Sequence, residues 1–287
     1  MMIKLKNVTK NYGKHLVLDE IDLEFNNTEG VYGVLGRNGV GKTTLMKMIF
    51  NMITTYEGEI EMNGESIKNN EEALKRIVYV GGEVNKYNGL FQGKIKDLLK
   101  AYATMYESFD REYAKMMLES FDIKVKDKFS KLSTGNKTLV QNTIGLATRA
   151  PITILDEPTN GLDSVNRQNF FRFMMEDYTE HPRLFMLSTH LIQEVENYLT
   201  DVIILKNTKV LVDDTLENIQ SKSYVIKNYR LTNKEIIRET ALGSSVEQVV
   251  FDELSEEEIN QIKMNGGEVQ PLDLQSLFNA LVENSTN

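Results

Sequence analysis

Nine residues, Gly36-Arg37-Asn38-Gly39-Val40-Gly41-Lys42-Thr43-Thr44, have the types and spacing to hold a polyphosphate. They fit G-x-x-x-x-G-K-[ST], in which glycines let the chain turn so that successive backbone N–H groups point at an anion. Lys42 adds a cation for the outer phosphates, and the Thr43 hydroxyl can ligate Mg²⁺. A second group lies far along the chain. Ile152-Thr153-Ile154-Leu155 runs into Asp156-Glu157, two carboxylates at the end of an apolar run. Asp156 is spaced to hold Mg²⁺ through water, and Glu157 is the candidate base for orienting an attacking water. A third run, Leu184-Phe185-Met186-Leu187-Ser188-Thr189, delivers His190. These residues suit phosphoryl transfer from a nucleoside triphosphate to water. His190 and Glu194 on one helix turn could pass for a metal pair, but two ligands fall short of the usual three or four.

Elements that place these groups can be read on either side of them. Residues 30–35 form an apolar run before the glycine loop, and Leu45-Met46-Lys47-Met48-Ile49 continues it as a helix, so a helix N-terminus would face the phosphates. Upstream, two apolar segments around Asn11-Tyr12-Gly13-Lys14 predict an antiparallel hairpin, with Tyr12 in its turn. Residues 57–64 alternate and end at Asn63-Gly64, a strand entering a hairpin. Ile77-Val78-Tyr79-Val80 is a short buried strand that breaks at Gly81-Gly82. From Lys94 to Phe121 the apolar residues recur at three and four, predicting two helices rich in Met and aromatic core residues. Leu132-Ser133-Thr134-Gly135-Asn136 opens another helix, where Ser-x-Gly alone signals only a cap. The strand ending at Ser188-Thr189 is expected to be the last of the core.

The composition is that of a globular chain. It has 287 residues, 41% hydrophobic and 26% charged, with no cysteine and a formal net charge of −9. Absence of cysteine excludes disulfides, thiolate nucleophiles and cysteine-held metals, and points to the cytosol. The negative balance argues against non-specific adhesion to nucleic acid or anionic lipid. Neither a signal-peptide core nor a membrane-length apolar run is visible. The composition shifts near Ser221-Lys222-Ser223, a soft boundary dividing residues 1–222 from an extension at 223–287. In the extension, residues 224–231 and 246–251 predict strands. Ser255-Glu256-Glu257-Glu258 predicts a capping box, and Leu274, Leu277, Phe278 and Leu281 the apolar stripe of a final helix. With no phosphate or carboxylate motif inside it, the extension is expected to be dispensable for nucleotide binding.

Taken in this order, the motifs resemble the nucleotide-binding subunit of ABC transporters. Residues 36–44 match Walker A, with Gly36, Asn38, Gly39, Gly41, Lys42, Thr43 and Thr44 as nucleotide contacts. Leu132 to Asn136 matches the LSGGQ signature, Ile152 to Glu157 matches Walker B, Gly161-Leu162-Asp163 the D-loop, His190 the switch histidine and Tyr12 the adenine-stacking aromatic. The resemblance implies an α/β fold: a P-loop NTPase core of ABC ATPase type with an antiparallel β subdomain, a helical signature subdomain at about 84–145, and a small α+β C-terminal extension. It implies ATP and Mg²⁺ as cofactors and Glu157, His190 and Lys42 as the catalytic set. It also implies a head-to-tail pair of nucleotide-binding subunits, in which Ser133, Gly135 and Asp163 complete the partner's site. Such a pair works on a transmembrane permease at the cytoplasmic face of the membrane, without nucleic acid.

Within that family, residues 106–113 and the signature variant resemble a Gram-positive exporter subgroup that includes the exporters of phenol-soluble modulins, amphipathic toxin peptides. Two departures stand out. The signature reads Ser-Thr-Gly-Asn, with Thr134 and Asn136 in place of glycine and glutamine. The glutamine expected after residues 77–80 is replaced by Gly82 followed by Glu83, which makes Glu83 a candidate Mg²⁺ ligand. Alternatives are a non-catalytic or regulatory ATP-binding partner, or a soluble ABC ATPase acting on DNA or ribosomes. The latter usually carry long coiled-coil insertions or two nucleotide domains, and neither is present.

Overall fold

The N-terminal alternation folds into β1 (Ile3–Tyr12) and β2 (His15–Phe25), an antiparallel pair that turns at Gly13-Lys14. β4 (Glu57–Met62) adds antiparallel to β1, and the Asn63-Gly64 turn carries the chain into β5 (Glu65–Ser66). The sheet order is β2-β1-β4-β5. Its inward residues, among them Ile3, Leu5, Val8, Leu18, Ile21, Phe25 and Ile60, are buried. The computed structural model describes residues 2–81, 93–242 and 245–283.

A second sheet stands at the centre. It contains β3 (Val31–Leu35), β6 (Ile77–Gly81), β7 (Ile152–Asp156), β8 (Leu184–Ser188), β9 (Asp201–Lys206) and β10 (Lys209–Thr215). The order is β10-β9-β3-β8-β7-β6, parallel throughout except for the β9–β10 hairpin. Every residue of β3, β6, β7 and β8 is buried. That is why these strands are uniform apolar runs rather than alternating ones: a parallel sheet is covered on both faces. The expectation that β8 ends the core is corrected by β9 beside β3. Val202 to Leu205 is as buried as the other runs, and Asn207 and Thr208, both at positive φ (47° and 69°), make the tight turn into β10.

Helices cover this sheet: α1 (Lys42–Ile49), α2 (Glu71–Leu74), α3 (Ile95–Met105), α4 (Arg111–Ser120), α5 (Thr134–Thr148), α6 (Ser164–Glu180), α7 (Ile192–Val195) and α8 (Leu216–Lys222). The Met and aromatic residues expected between 94 and 121 to be core divide: Tyr106, Met117 and Phe121 are buried in the large core, and Tyr102, Phe109 and Tyr113 pack against it half-buried. Met105 and Met116 are exposed.

After residue 222 a third, wholly antiparallel sheet forms from β11 (Ser223–Lys227), β12 (Ile236–Leu242), β13 (Ser245–Phe251) and β14 (Glu268–Pro271), in the order β12-β13-β11-β14. β12 and β14 were not foreseen, because their charged and proline-ended sequences carry weak alternation. α9 (Glu256–Met264) opens with the capping box: Glu258 N–H donates to Ser255 Oγ at 3.2 Å, and Ser255 N–H donates to Glu258 Oε2 at 2.9 Å. A small cluster of Ile226, Leu231, Val250 and Ile262 fills the unit. α10 (Leu274–Glu283) does not stay there. Its Leu274, Leu277, Leu281 and Val282 belong to the large core that also holds Val31, Leu187 and Val202. Glu196 accepts from Leu274 N–H at 3.1 Å, and Lys206 donates to the Leu281 carbonyl at 2.5 Å.

Candidate nucleotide-binding site

The carboxyl ends of the parallel strands lie side by side, because the registers align them. Gly81 pairs with Asp156 and Asp156 with Ser188, while Val34 of β3 lies opposite Ser188. Loops leaving β3, β7 and β8 therefore emerge together, where open α/β sheets hold their ligands.

From β3 the chain enters the glycine loop. Gly36, Gly39 and Gly41 take φ of 157°, 84° and 114°. The last two are left-handed, and a Cβ at Gly41 would also lie 2.8 Å from Leu18, so only glycine fits there. α1 starts at Lys42, whose ammonium donates to the carbonyls of Gly36 (2.7 Å) and Arg37 (3.3 Å). Burial draws Lys42 below its ordinary 10.5, and the nearby carboxylates of Glu157 and Asp156 pull the other way. A cavity of about 310 Å³ opens on the loop, lined by Val17, Asn38, Gly39, Gly41, Lys42, Thr43, Thr44 and Glu157.

Asp156 ends β7 with three hydroxyls on its carboxylate. Thr43 donates to Oδ1 at 3.1 Å, Ser188 to Oδ1 at 2.5 Å, and Tyr79 to Oδ2 at 2.8 Å. Glu157 follows at φ 53°, an uncommon conformation for a residue with a Cβ. Its N–H is held by Ser188 Oγ at 3.0 Å. His190 Nδ1 lies 2.8 Å from Glu157 Oε2, with the histidine side chain 53% exposed and the glutamate 24%. Glu194 instead pairs with Arg167 at 3.0 Å. Two hydrogen bonds from α5 hold the loop after Glu157: Asn142 donates to the Pro158 carbonyl at 2.6 Å and Thr138 to that of Asn160 at 3.2 Å.

The remaining candidates lie outside this cavity. Ser133 caps α5, accepting from Asn136 N–H at 3.2 Å, and is exposed. A Cβ at Gly135 would meet the Gly161 carbonyl at 2.7 Å, so the first turn of α5 touches the loop at Gly161 within one chain. Asp163 caps α6, and the Asn166 N–H on its carboxylate holds it below the usual range. Tyr12, half exposed at the end of β1 with the Lys10 ammonium 4.6 Å from its ring centre, does not line the cavity. Gly82 and Glu83 lie outside the described residues.

These groups fit Mg–ATP. The paired oxygens of Thr43 and Asp156 are the hard donors Mg²⁺ takes, and its small number of protein ligands suits an ion that also binds phosphate and water. Among the described residues no cluster of three or more His, Cys, Asp or Glu could hold a metal by itself. The pattern defining the ABC transporter family matches residues 18–160. An ABC transporter ATP-binding protein of Methanocaldococcus jannaschii is 33% identical over 250 residues, covering 84% of this chain and 88% of that one. The chain belongs to the ABC transporter ATP-binding proteins.

Another relative, the bacitracin transport ATP-binding protein of Bacillus licheniformis, is 27% identical over 242 residues, 82% of this chain and 78% of its own. The fold is that of a solved ATP-binding subunit of an ABC transporter, with a TM-score of 0.64 at 21% identity over 77% of this chain and 92% of that one. This ABC subunit binds ATP with Mg²⁺, hydrolyses ATP to power transport, and pairs with transmembrane permease components. Among its described residues no helix is long and apolar enough to cross a membrane.

Motif spacing singled out Lys42, Thr43, Asp156, Glu157 and His190, and the fold brings these together. It passed over Tyr79, Ser188, Thr138 and Asn142. Their only sequence signal is a hydroxyl or amide inside an otherwise apolar strand or buried helix face.

Proposed function

We propose that this ABC ATPase drives an exporter of amphipathic peptides or toxic compounds from the cytoplasmic face of the membrane. The observation that carries its catalytic part is the 2.8 Å contact of His190 with Glu157 beside the cavity of Lys42 and Thr43. Lys42 and the loop N–H groups, with Gly36, Asn38, Gly39, Gly41 and Thr44, hold the phosphates, and Tyr12 stacks on adenine. Thr43 and Asp156 hold Mg²⁺, which neutralises phosphate charge when bound. Glu157 accepts the proton of water as the water oxygen bonds to the γ-phosphorus and the bond to the β-phosphate oxygen breaks. His190 holds Glu157 in place for that step. Ser133 and Asp163 are exposed at helix starts, with Gly135 half-buried beside Ser133, and the three complete the site of a second nucleotide-binding subunit, so ATP closes the pair head to tail. Glu83 is proposed as a further Mg²⁺ ligand, tested by the Mg²⁺ dependence of Glu83→Ala. Similarity to the bacitracin transport protein supports an exporter with peptide-like cargo.

The experiment is Glu157→Gln in the full chain. Turnover should fall by about 10²- to 10⁴-fold, the usual contribution of a positioned base. ATP binding should persist, and sedimentation should show ATP-dependent dimers accumulating. Wild-type turnover in this variant would remove Glu157 from the chemistry. Absence of any dimer with ATP would remove the closed pair.

A further inference from the structure

Tyr79 is a buried tyrosine 77 residues away in sequence from the carboxylate it touches, and the mechanism above makes no use of it. Its ring stacks on Phe50, with centres 5.6 Å apart and planes at 25°. Phe50 is the residue on which α1 ends, and α1 begins with Lys42 and Thr43. The phenol therefore spans from the far end of the phosphate-loop helix to the end of β7.

The reach depends on a neighbour. Tyr79 and Gly81 lie two apart on β6 and so share one face. Gly81 is also the register partner of Asp156. A Cβ at Gly81 would sit 2.6 Å from the Tyr79 hydroxyl and 2.9 Å from Asp156 Cβ. The missing side chain at 81 is what leaves the phenol room to lean along the strand and donate to Oδ2.

Asp156 is thereby gripped on both oxygens, by Tyr79 on Oδ2 and by Ser188 and Thr43 on Oδ1. A hydrogen bond on one oxygen already resists rotation of the carboxylate about its bond to the chain; bonds on both oxygens fix its plane more tightly, because any turn strains all of them at once. Groups that hydrogen-bond a metal-ligating carboxylate set its orientation and hence the metal affinity.

We propose that Tyr79 is a positioning residue of the ATPase: with Gly81 making room for it, its hydroxyl fixes the plane of the Asp156 carboxylate and keeps Oδ1 beside Thr43. This rests on the assignment of Asp156 as a Mg²⁺ ligand.

The test uses Tyr79→Phe, which keeps the ring on Phe50, removes only the hydroxyl and is the deciding variant, and Gly81→Ala, which crowds the hydroxyl while leaving it present but also presses on Asp156 Cβ. Each is made in the full chain and compared with Asp156→Asn. Binding of a fluorescent, non-hydrolysable ATP analogue is measured in EDTA and then against added Mg²⁺, with turnover measured in parallel. Both variants should bind the analogue in EDTA as the parent does. Both should need about 10-fold more Mg²⁺ for the half-maximal effect, the low end of such losses because Ser188 and Thr43 remain. If Asp156→Asn abolishes the Mg²⁺ response while Tyr79→Phe and Gly81→Ala follow the parent curve, Tyr79 is a packing residue and the proposal fails. If Asp156→Asn itself follows the parent, the Mg²⁺ assignment fails before Tyr79 is reached.

Discussion

The central sheet and the C-terminal sheet treat charge in opposite ways. At the strand ends of the central sheet, Lys42 and Asp156 are buried, tied to backbone carbonyls on one side and to three hydroxyls on the other. In the C-terminal sheet the charges sit outside. Arg230 pairs with Glu239 at 2.8 Å with side chains 62% and 38% exposed, and solvated pairs of that kind contribute little. Among its described residues a buried polar side chain inside a strand, Gln248, holds a loop and a neighbouring strand: it accepts from Leu231 N–H at 2.8 Å and donates to Glu239 at 2.7 Å. Desolvated charge marks the region that must meet a polyanion; solvated charge marks the region that only has to fold. α10 complicates this division, since it leaves the second region to pack into the first.

The largest effect expected from breaking this contrast is at Lys42. Lys42→Ala removes a buried cation facing phosphates, and the loss of one partner of such a pair costs about 2–5 kcal/mol, or roughly 30- to several thousand-fold in affinity. Titration with ATP in the absence of hydrolysis measures it. An affinity within a few-fold of the parent would show that the backbone N–H groups alone hold the phosphates.

Next is α10. Leu277 is fully buried in the large core, so Leu277→Ala should cost about 2–5 kcal/mol of stability, read from the denaturant midpoint. The division at residue 222, proposed from composition, is tested by the same experiment in another form. A chain ending at Lys222 uncovers the faces that Leu274, Leu277, Leu281 and Val282 cover. If it unfolds at the parent's denaturant concentration, the extension is an independent appendage; an early transition makes α10 a structural part of the ATPase.

A smaller effect belongs to the second region. Ser255→Ala removes the cap of α9 and should cost about 1 kcal/mol, without change in ATP turnover. A fall in turnover would mean that the C-terminal sheet reaches the nucleotide site.

The smallest is a pH effect on the same cap. The Ser255 N–H, helped by Asn233, holds the Glu258 carboxyl below its ordinary 4.5. A depressed carboxyl stabilises the fold above its unfolded value, and that contribution is lost as pH falls through the lower folded value. The stability difference between the parent and Glu258→Gln should therefore be constant near neutral pH and shrink below about pH 4.5. A difference that persists in acid would assign it to packing.

Much of the site was legible because its signals are local. The G-x-x-x-x-G-K-T spacing, the apolar run before Asp156-Glu157 and the caps at Ser133 and Ser255 each involve residues within a few positions of one another. Tyr79 and Ser188 were not legible, because each meets Asp156 across neighbouring strands from 77 and 32 residues away. The β9 run is as plain as that of β7, yet no local feature places it beside β3. A run tells of burial, but not of which sheet will take it.

The sequence by itself determined the chemistry available at each strand end, the helix starts, and where polar residues interrupt apolar runs. These follow from backbone conformation, capping and periodicity, all properties of neighbours in the chain. Only the tertiary structure decided that Gly81, Asp156 and Ser188 stand in one row and that the last helix closes on the large core that holds Val31, Leu187 and Val202. Register and docking are set by burying whole faces against distant segments, and no local stretch carries that information.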